Sequence, residues 1–382
     1  MAPRRSNGAG AFPKSVESPA PDHNRPAELY AALDLGTNSC RMLIARPTGS
    51  QFTVVDSFSK TVQLGHGLEN SGRISRASIF RTIQALKICK RKLQRHQVRN
   101  MRLVATEACR RAMNSRDFMG QVTRETGLRL EIIKPEEEAR LAVISCAPLV
   151  EPETEQLLVV DIGGGSTELV WIDLSQVPPA ERSDAIMRLS SGFDNAAEIG
   201  PKAKVVDWIS VPLGVATLRD QFADVEDDAG RFALMSCYFE EQLAGFSPYD
   251  TQQSRKGFQI IGTSGTVTTV AATHLGLRRY DRNKVDGIAM TTAEIDAVIT
   301  GYLRAGPEGR RRDPRIGRDR QALIMSGSAI LQALLRVWPT DRLSVADRGL
   351  REGLLYAQMS GDGVLGRPPA HWRGDIPGKG EI

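Results

Sequence analysis

Val159-Val160-Asp161-Ile162-Gly163-Gly164-Gly165-Ser166-Thr167-Glu168-Leu169-Val170 is the stretch whose reading decides the fold. The apolar run 157–162 reads as a buried strand with an aspartate near its end. Three glycines, two hydroxyl side chains and a glutamate then lead into a second apolar run, 169–172. Consecutive glycines weaken both strands and persist where a backbone must approach something closely. Phosphate is the usual partner, because successive N–H groups in such a turn form a concave anion nest. A carboxylate on either side suits metal-assisted phosphoryl chemistry. The bland alternative is a tight hairpin with a glycine-rich turn.

The stretch has a partner upstream. Ala32-Leu33-Asp34-Leu35-Gly36-Thr37-Asn38-Ser39 aligns with Val159 to Ser166 without a gap, setting Asp34 on Asp161, Gly36 on Gly163 and Ser39 on Ser166. A strand–Asp–Gly-turn–strand unit that occurs twice predicts two related α/β domains, each offering a phosphate loop to a shared cleft. No Gly-x-x-x-x-Gly-Lys-Ser/Thr occurs, and no strand-linked Gly-x-Gly-x-x-Gly, so neither a Walker loop nor a Rossmann dinucleotide site is expected.

Composition narrows the chemistry. A chain of 382 residues has room for two cores. Its five cysteines, at 40, 89, 109, 146 and 237, are scattered and odd in number, which argues against a disulfide framework or thiolate zinc and for a reducing, cytoplasmic setting. His23 and His371 fall in expected tails, and the other histidines have no metal-ligand spacing. A net charge of +5 permits a polyanionic ligand without demanding one. No apolar run reaches membrane-spanning length, and neither a membrane nor a nucleic-acid partner is expected.

In chain order, 1–27 reads as a disordered tail, 28–134 as the first domain, 135–346 as the second and 361–382 as a flexible tail. A helix over 347–360 is expected to pack back on the first domain. Residues 75–95 carry a helical stripe with a basic far end, read as a solvated face or a guide for a polyanion. Strands are expected at 101–105, 128–133, 258–262 and 343–347, and helices at 229–243, 267–275 and 321–337. Pro135 opens a helix with Glu136, Glu137 and Glu138 in its first turn. Residues 173–209 read as polar and irregular, and the arginine-dense 304–320 as an exposed connection.

Two Asp-x-Gly loops with a later Gly262-Thr263-Ser264-Gly265-Thr266 turn resemble the ribonuclease-H-like domains of the actin, Hsp70 and sugar-kinase superfamily. Within it, the chain resembles the exopolyphosphatase / guanosine pentaphosphate phosphohydrolase family over about 30–356, in its short two-domain form. Beyond those three turns, the resemblance rests on Thr106-Glu107-Ala108-Cys109-Arg110-Arg111-Ala112-Met113-Asn114 and Glu137-Glu138-Ala139-Arg140, with Arg351-Glu352-Gly353 also fitting. It implies hydrolysis of a terminal phosphoanhydride, in polyphosphate or guanosine pentaphosphate, by a homodimer. Glu138 matches the family's general base, with Glu137 as auxiliary. Asp161 and Glu168 match acids that hold metal or water, and Asp34 joins them as a metal ligand. Arg110 matches a phosphate-gripping arginine. Gly36, Thr37, Asn38 and Ser39, with Gly163, Gly164, Gly165 and Ser166, match the phosphate loops. Gly262, Thr263, Ser264 and Gly265 serve either phosphate or their own turn. Magnesium is the implied cofactor, with manganese as substitute and potassium as a further candidate ion. Two positions depart from the family pattern: Thr37 stands for the usual serine, and Lys134-Pro135 for a Ser-Gly pair before the acids. Rival readings are an ATP-dependent kinase or chaperone-like ATPase, and a non-catalytic polyphosphate or alarmone sensor.

Overall fold

The computed structural model describes residues 28–189, 202–246 and 257–366. The expected tails, 1–27 and 361–382 after residue 366, lie outside the described residues, and His23 and His371 with them. One sheet holds β1 (Tyr30–Leu35), β2 (Ser39–Thr48), β3 (Gln51–Thr61), β4 (Asn100–Ala105) and β5 (Glu131–Ile132), in the order β3-β2-β1-β4-β5. The other holds β6 (Gln156–Ile162), β7 (Thr167–Asp173), β8 (Lys204–Val211), β9 (Phe258–Thr263), β10 (Ala289–Met290) and β11 (Leu343–Ala346), in the order β8-β7-β6-β9-β11-β10. β1 runs antiparallel to β2 and parallel to β4, and β6 runs antiparallel to β7 and parallel to β9. β3 and β8 add antiparallel outside, while β5 and β11 add parallel on the other side. The short sequence repeat is therefore the visible part of a repeated sheet topology, with β10 added at one edge.

Side chains alternate across each sheet. Ala31, Leu33 and Leu35 of β1 share a core with Ile83 and Leu86 of helix Arg76–Arg95. Tyr30 and Ala32 face the other way, against Leu141, Ile144, Leu354 and Leu355. Leu158 and Val160 of β6 pack with Phe239, Val270 and Ile330 from helices Asp228–Gln242, Gly265–His274 and Ile324–Val337. Leu157 and Val159 meet Ala139, Val143 and Cys146. Helix Pro135–Cys146 thus contributes to cores on both sheets and is buried on every side from Glu138 onward. Helix Leu350–Gly361 returns to β1 through Leu354, Leu355 and Tyr356. Burying each such side chain contributes roughly 1.5–3 kcal/mol, enough in sum to hold both helices in place and, with them, the first turn that carries Glu138.

Three expectations change. Residues 173–209, read as irregular, include helix Arg182–Arg188 and most of β8, while 190–201 lie outside the described residues. The β7–β8 register shifts at Trp171/Ile172, and Val205 and Trp208 consequently share one face. That spacing of three breaks the alternation by which a strand is recognised. Residues 304–320, read as an exposed connection, include the second half of Thr292–Arg312, two helical pieces separated by a non-helical kink at Gly306 before Pro307. Buried Arg310 there donates to the Tyr302 carbonyl at 2.8 Å and to Asp228 at 2.7 Å. Finally, the basic end of helix Arg76–Arg95 runs toward Asn100, which pairs with Tyr30 at the opposite end of β1 from Leu35. Lys87 and Lys92 are paired with Glu125 and Asp56, so this end does not lead a polyanion toward Asp34.

Candidate active site

Asp34 and Asp161 each stand one residue before the end of their strand. The turns that follow are built alike: the Gly36 N–H donates to the Ser39 carbonyl at 3.0 Å and the Gly163 N–H to the Ser166 carbonyl at 2.9 Å. The turns also touch each other. A Cβ on Gly164 would lie 3.2 Å from the Asn38 nitrogen, and one on Gly165 would lie 2.3 Å from Thr37 Oγ1. From another side, a Cβ on Gly214 would stand 2.5 Å from the Gly163 carbonyl. The close approach that the glycine triplet allows is first of all loop against loop.

The turns border a cavity of about 300 Å³. Of the expected site residues, Asp34, Glu138, Asp161, Gly36, Thr37, Asn38, Ser39, Gly163, Gly164, Gly165, Ser166, Thr263, Ser264 and Gly265 line it. Two of these have committed hydroxyls: Ser264 Oγ accepts from the Thr266 and Val267 N–H groups at 3.1 and 3.2 Å, and Thr263 Oγ1 donates to the Arg348 carbonyl. Both side chains thus take part in holding their own turn. Gly262 lies off the cavity, where a Cβ would meet Val267 Cγ1 at 3.2 Å.

Glu137, expected as an auxiliary to the base, points elsewhere. Arg102 donates to it at 2.7 Å and Arg140 at 2.8 Å, and these bonds hold its carboxyl below the ordinary range although burial pushes the other way. Neighbouring residues on a helix are about 100° apart, so only one of the two glutamates can face the cleft. Arg110, expected on phosphate, sits behind Glu138. Its Nη1 donates to Glu138 Oε2 at 2.7 Å and to the Ile133 carbonyl at 3.0 Å, and its Nε to Glu107 Oε2 at 3.0 Å. Glu168 faces Asp161 directly across the β6–β7 ladder. Ser210 Oγ donates to its Oε1 at 2.9 Å, while its buried Oε2 has no partner among the described residues.

The cavity carries both signs of charge. Burial and the Glu168 charge push Glu138 well above the carboxylate range, against the pull of Arg110. Burial, then the Glu138 charge, raises Asp161 to about 8, and burial with Asp161 raises Glu168 to about 7. Arg41, Arg320 and Arg351 line the same cavity. Burial and repulsion from Arg351 and Arg320 lower Arg41 below its ordinary value, against the pull of Asp34 and Asp161. Arg320 donates to the Gly265 carbonyl and to the Thr268 and Thr269 hydroxyls. The sequence reading assigned none of the three arginines, and it also passed over Glu107, which lines the cavity.

The Ppx/GppA phosphatase family model matches residues 43–361. The chain belongs to the Ppx/GppA phosphatase family. Among relatives of the family, a Haemophilus influenzae protein named "Putative exopolyphosphatase" is 26% identical over 340 residues, 88% of this chain and 93% of that protein. A guanosine-5'-triphosphate,3'-diphosphate pyrophosphatase of Aeromonas salmonicida is 28% identical over 338 residues, 88% of this chain but 60% of that protein. The crystal structure of the Aquifex aeolicus Ppx/GppA family member superposes with a TM-score of 0.68 at 29% identity, covering 88% of this chain and 99% of that one. The repeated sheets are thus the two-domain, actin-like α/β fold of Ppx/GppA proteins, and the chain is a hydrolase acting on phosphoanhydrides. No helix of the described residues is long and apolar enough to cross a membrane.

Proposed function

We propose that the chain is an exopolyphosphatase, releasing orthophosphate from the end of inorganic polyphosphate. The observation that carries this reading is a single cavity lined by both glycine turns, by Glu138 and Asp161, and by Arg41, Arg320 and Arg351. Successive phosphates of the chain lie toward the arginines, whose planar forks suit phosphate oxygens. The terminal phosphate meets the two glycine turns. Glu138, its Oε2 fixed by Arg110, accepts a proton at Oε1 from a water as that water's oxygen attacks the terminal phosphorus. The bridging P–O bond breaks, and its electron pair leaves with the shortened chain. A carboxylate raised by burial is a stronger base once ionised, and a placed base contributes about 10²–10⁴-fold.

The donor set fits magnesium, a hard cation that takes oxygen ligands and keeps several waters. Glu168 Oε2 is a buried, unpartnered oxygen, and Asp34, Asp161 and Glu168 stay raised by burial although Arg41, Arg351 and Arg110 pull them down. Among the described residues no three acidic, histidine or cysteine side chains converge as a ready cage, so Asp34, Asp161 and Glu168 do not form one three-ligand set. Bound there, magnesium would neutralise phosphate charge. Five free cysteines, four of them buried, agree with a reducing cytoplasm.

Purified protein with magnesium is expected to release orthophosphate from long-chain polyphosphate, and Glu138→Ala to lower the rate at least about 100-fold. Full activity in Glu138→Ala would refute the assignment of the base. The Aeromonas relative, by its name, favours guanosine pentaphosphate as the second reading, and rates on the two substrates side by side decide between them.

A further inference from the structure

Glu107 is assigned no part in the mechanism above, yet it lines the cavity and is 9% exposed. One of its oxygens, Oε2, accepts from Arg110 Nε at 3.0 Å, and the buried Nη2 lies 2.8 Å from the same oxygen as an ion pair without hydrogen-bond geometry. The remaining nitrogen of the same planar group, Nη1, reaches Glu138 at 2.7 Å. Its Cγ is wedged against the glycine turn, 3.1 Å from where a Cβ on Gly165 would stand. A guanidinium is rigid and flat. Fixing its Nε and Nη2 edge on one carboxylate therefore fixes the direction in which Nη1 points.

We infer that Glu107 is a positioning residue: it turns Arg110 onto Glu138 and withholds that cation from the substrate. This rests on the reading of Glu138 as the base. Without the Glu107 charge, the Arg110 guanidinium keeps only its Nη1 bonds to Glu138 and the Ile133 carbonyl, so it can turn about them toward the cavity and its phosphate oxygens, and the bond that orients the Glu138 carboxylate loses its fixed direction. The two effects have opposite signs. Affinity for a polyanion rises while turnover falls, whereas a residue that merely supports the fold weakens both.

The test compares the full chain with Glu107→Gln and Glu107→Asp, following phosphate release from polyphosphate, tripolyphosphate binding by calorimetry, and thermal melting. Glu107→Gln is expected to lower kcat about tenfold, since a misplacement of about 1 Å costs up to roughly 100-fold. It is also expected to tighten the tripolyphosphate Kd about threefold to tenfold. Glu107→Asp keeps the charge but shortens the reach, so the Kd stays within about twofold while kcat still falls. Unchanged kcat and Kd in Glu107→Gln, or a weaker Kd, overturns the proposal. Should Glu107→Gln fail to fold, unchanged kcat in Glu107→Asp overturns it instead. If the unmutated chain releases no phosphate, the reading of Glu138 fails, while the Kd comparison still tests the hold on Arg110.

Discussion

Asp161 offers a measurement that joins the site to the stability of the fold. Its carboxyl titrates at about 8 in the folded chain against 3.8 when unfolded, chiefly through burial and then through the Glu138 charge. A carboxyl raised on folding binds its proton more tightly in the native state, so it favours folding at low pH and costs stability as pH rises between the two values. Between pH 5 and pH 8 that is three units at about 1.4 kcal/mol each, or about 4 kcal/mol from this one residue. Glu168, raised to about 7 partly by Asp161, adds to the same trend over a shorter range. Asp161→Asn removes the first contribution and weakens the second. In urea unfolding with a chelator present, the midpoint of the unmutated chain should drop by roughly 1 M or more between pH 5 and pH 8, at a slope of about 3 kcal/mol per M. The midpoint of the variant should fall by clearly less, since burial still raises Glu168. Magnesium at pH 8 should restore the unmutated chain by binding only its native state, and do less for Asp161→Asn. An equally steep fall in the variant would refute the account of a strained acidic cluster.

Two glycines give sharper mechanical tests. A Cβ on Gly353 would lie 2.0 Å from the Leu141 carbonyl oxygen, a backbone atom of the helix that carries Glu138. Gly353→Ala should therefore destabilise by at least about 2 kcal/mol, whereas Gly301→Ala, where nothing lies within 4 Å, should stabilise by up to about 1 kcal/mol; equal melting temperatures would contradict this packing. Gly165→Ala drives a methyl into Thr37 Oγ1 and should part the two turns. Its kcat/KM for phosphate release should fall at least about tenfold with the fold intact, as a displacement of about 1 Å at a site warrants.

Much of the site was legible because its turns are contiguous in sequence: Asp34 to Ser39 and Asp161 to Ser166 declare their chemistry within a few residues. Glu138 was legible as a first-turn acid, but composition does not say which of three adjacent glutamates faces the cleft. That is set by helix rotation once Leu141 and Ile144 face one sheet and Val143 the other. Arg320 and Arg310 look alike in an arginine-rich run. One lines the cavity while the other is buried on Asp228, a difference made by the kinked helix and not by local sequence.

Arg41 is the instructive case, because the repeat already contained it. Continuing the gap-free alignment two residues beyond Ser39 and Ser166 sets Arg41 over Glu168, which looks like the point where the resemblance ends. The ladders give both the same place: Arg41 lies opposite Asp34 as Glu168 lies opposite Asp161. The duplicated units thus kept their aspartates and turns and reversed one charge. Two glutamates at these positions would crowd four carboxylates around one cavity and leave phosphate no cation from either strand pair. Two arginines would cancel the aspartates and leave a metal no anionic oxygen. With one of each, the two matching turns carry unlike neighbours at the same ladder position: Arg41 lies opposite Asp34 and pulls its carboxyl down, while Asp161 lies opposite Glu168 and pushes that carboxyl up.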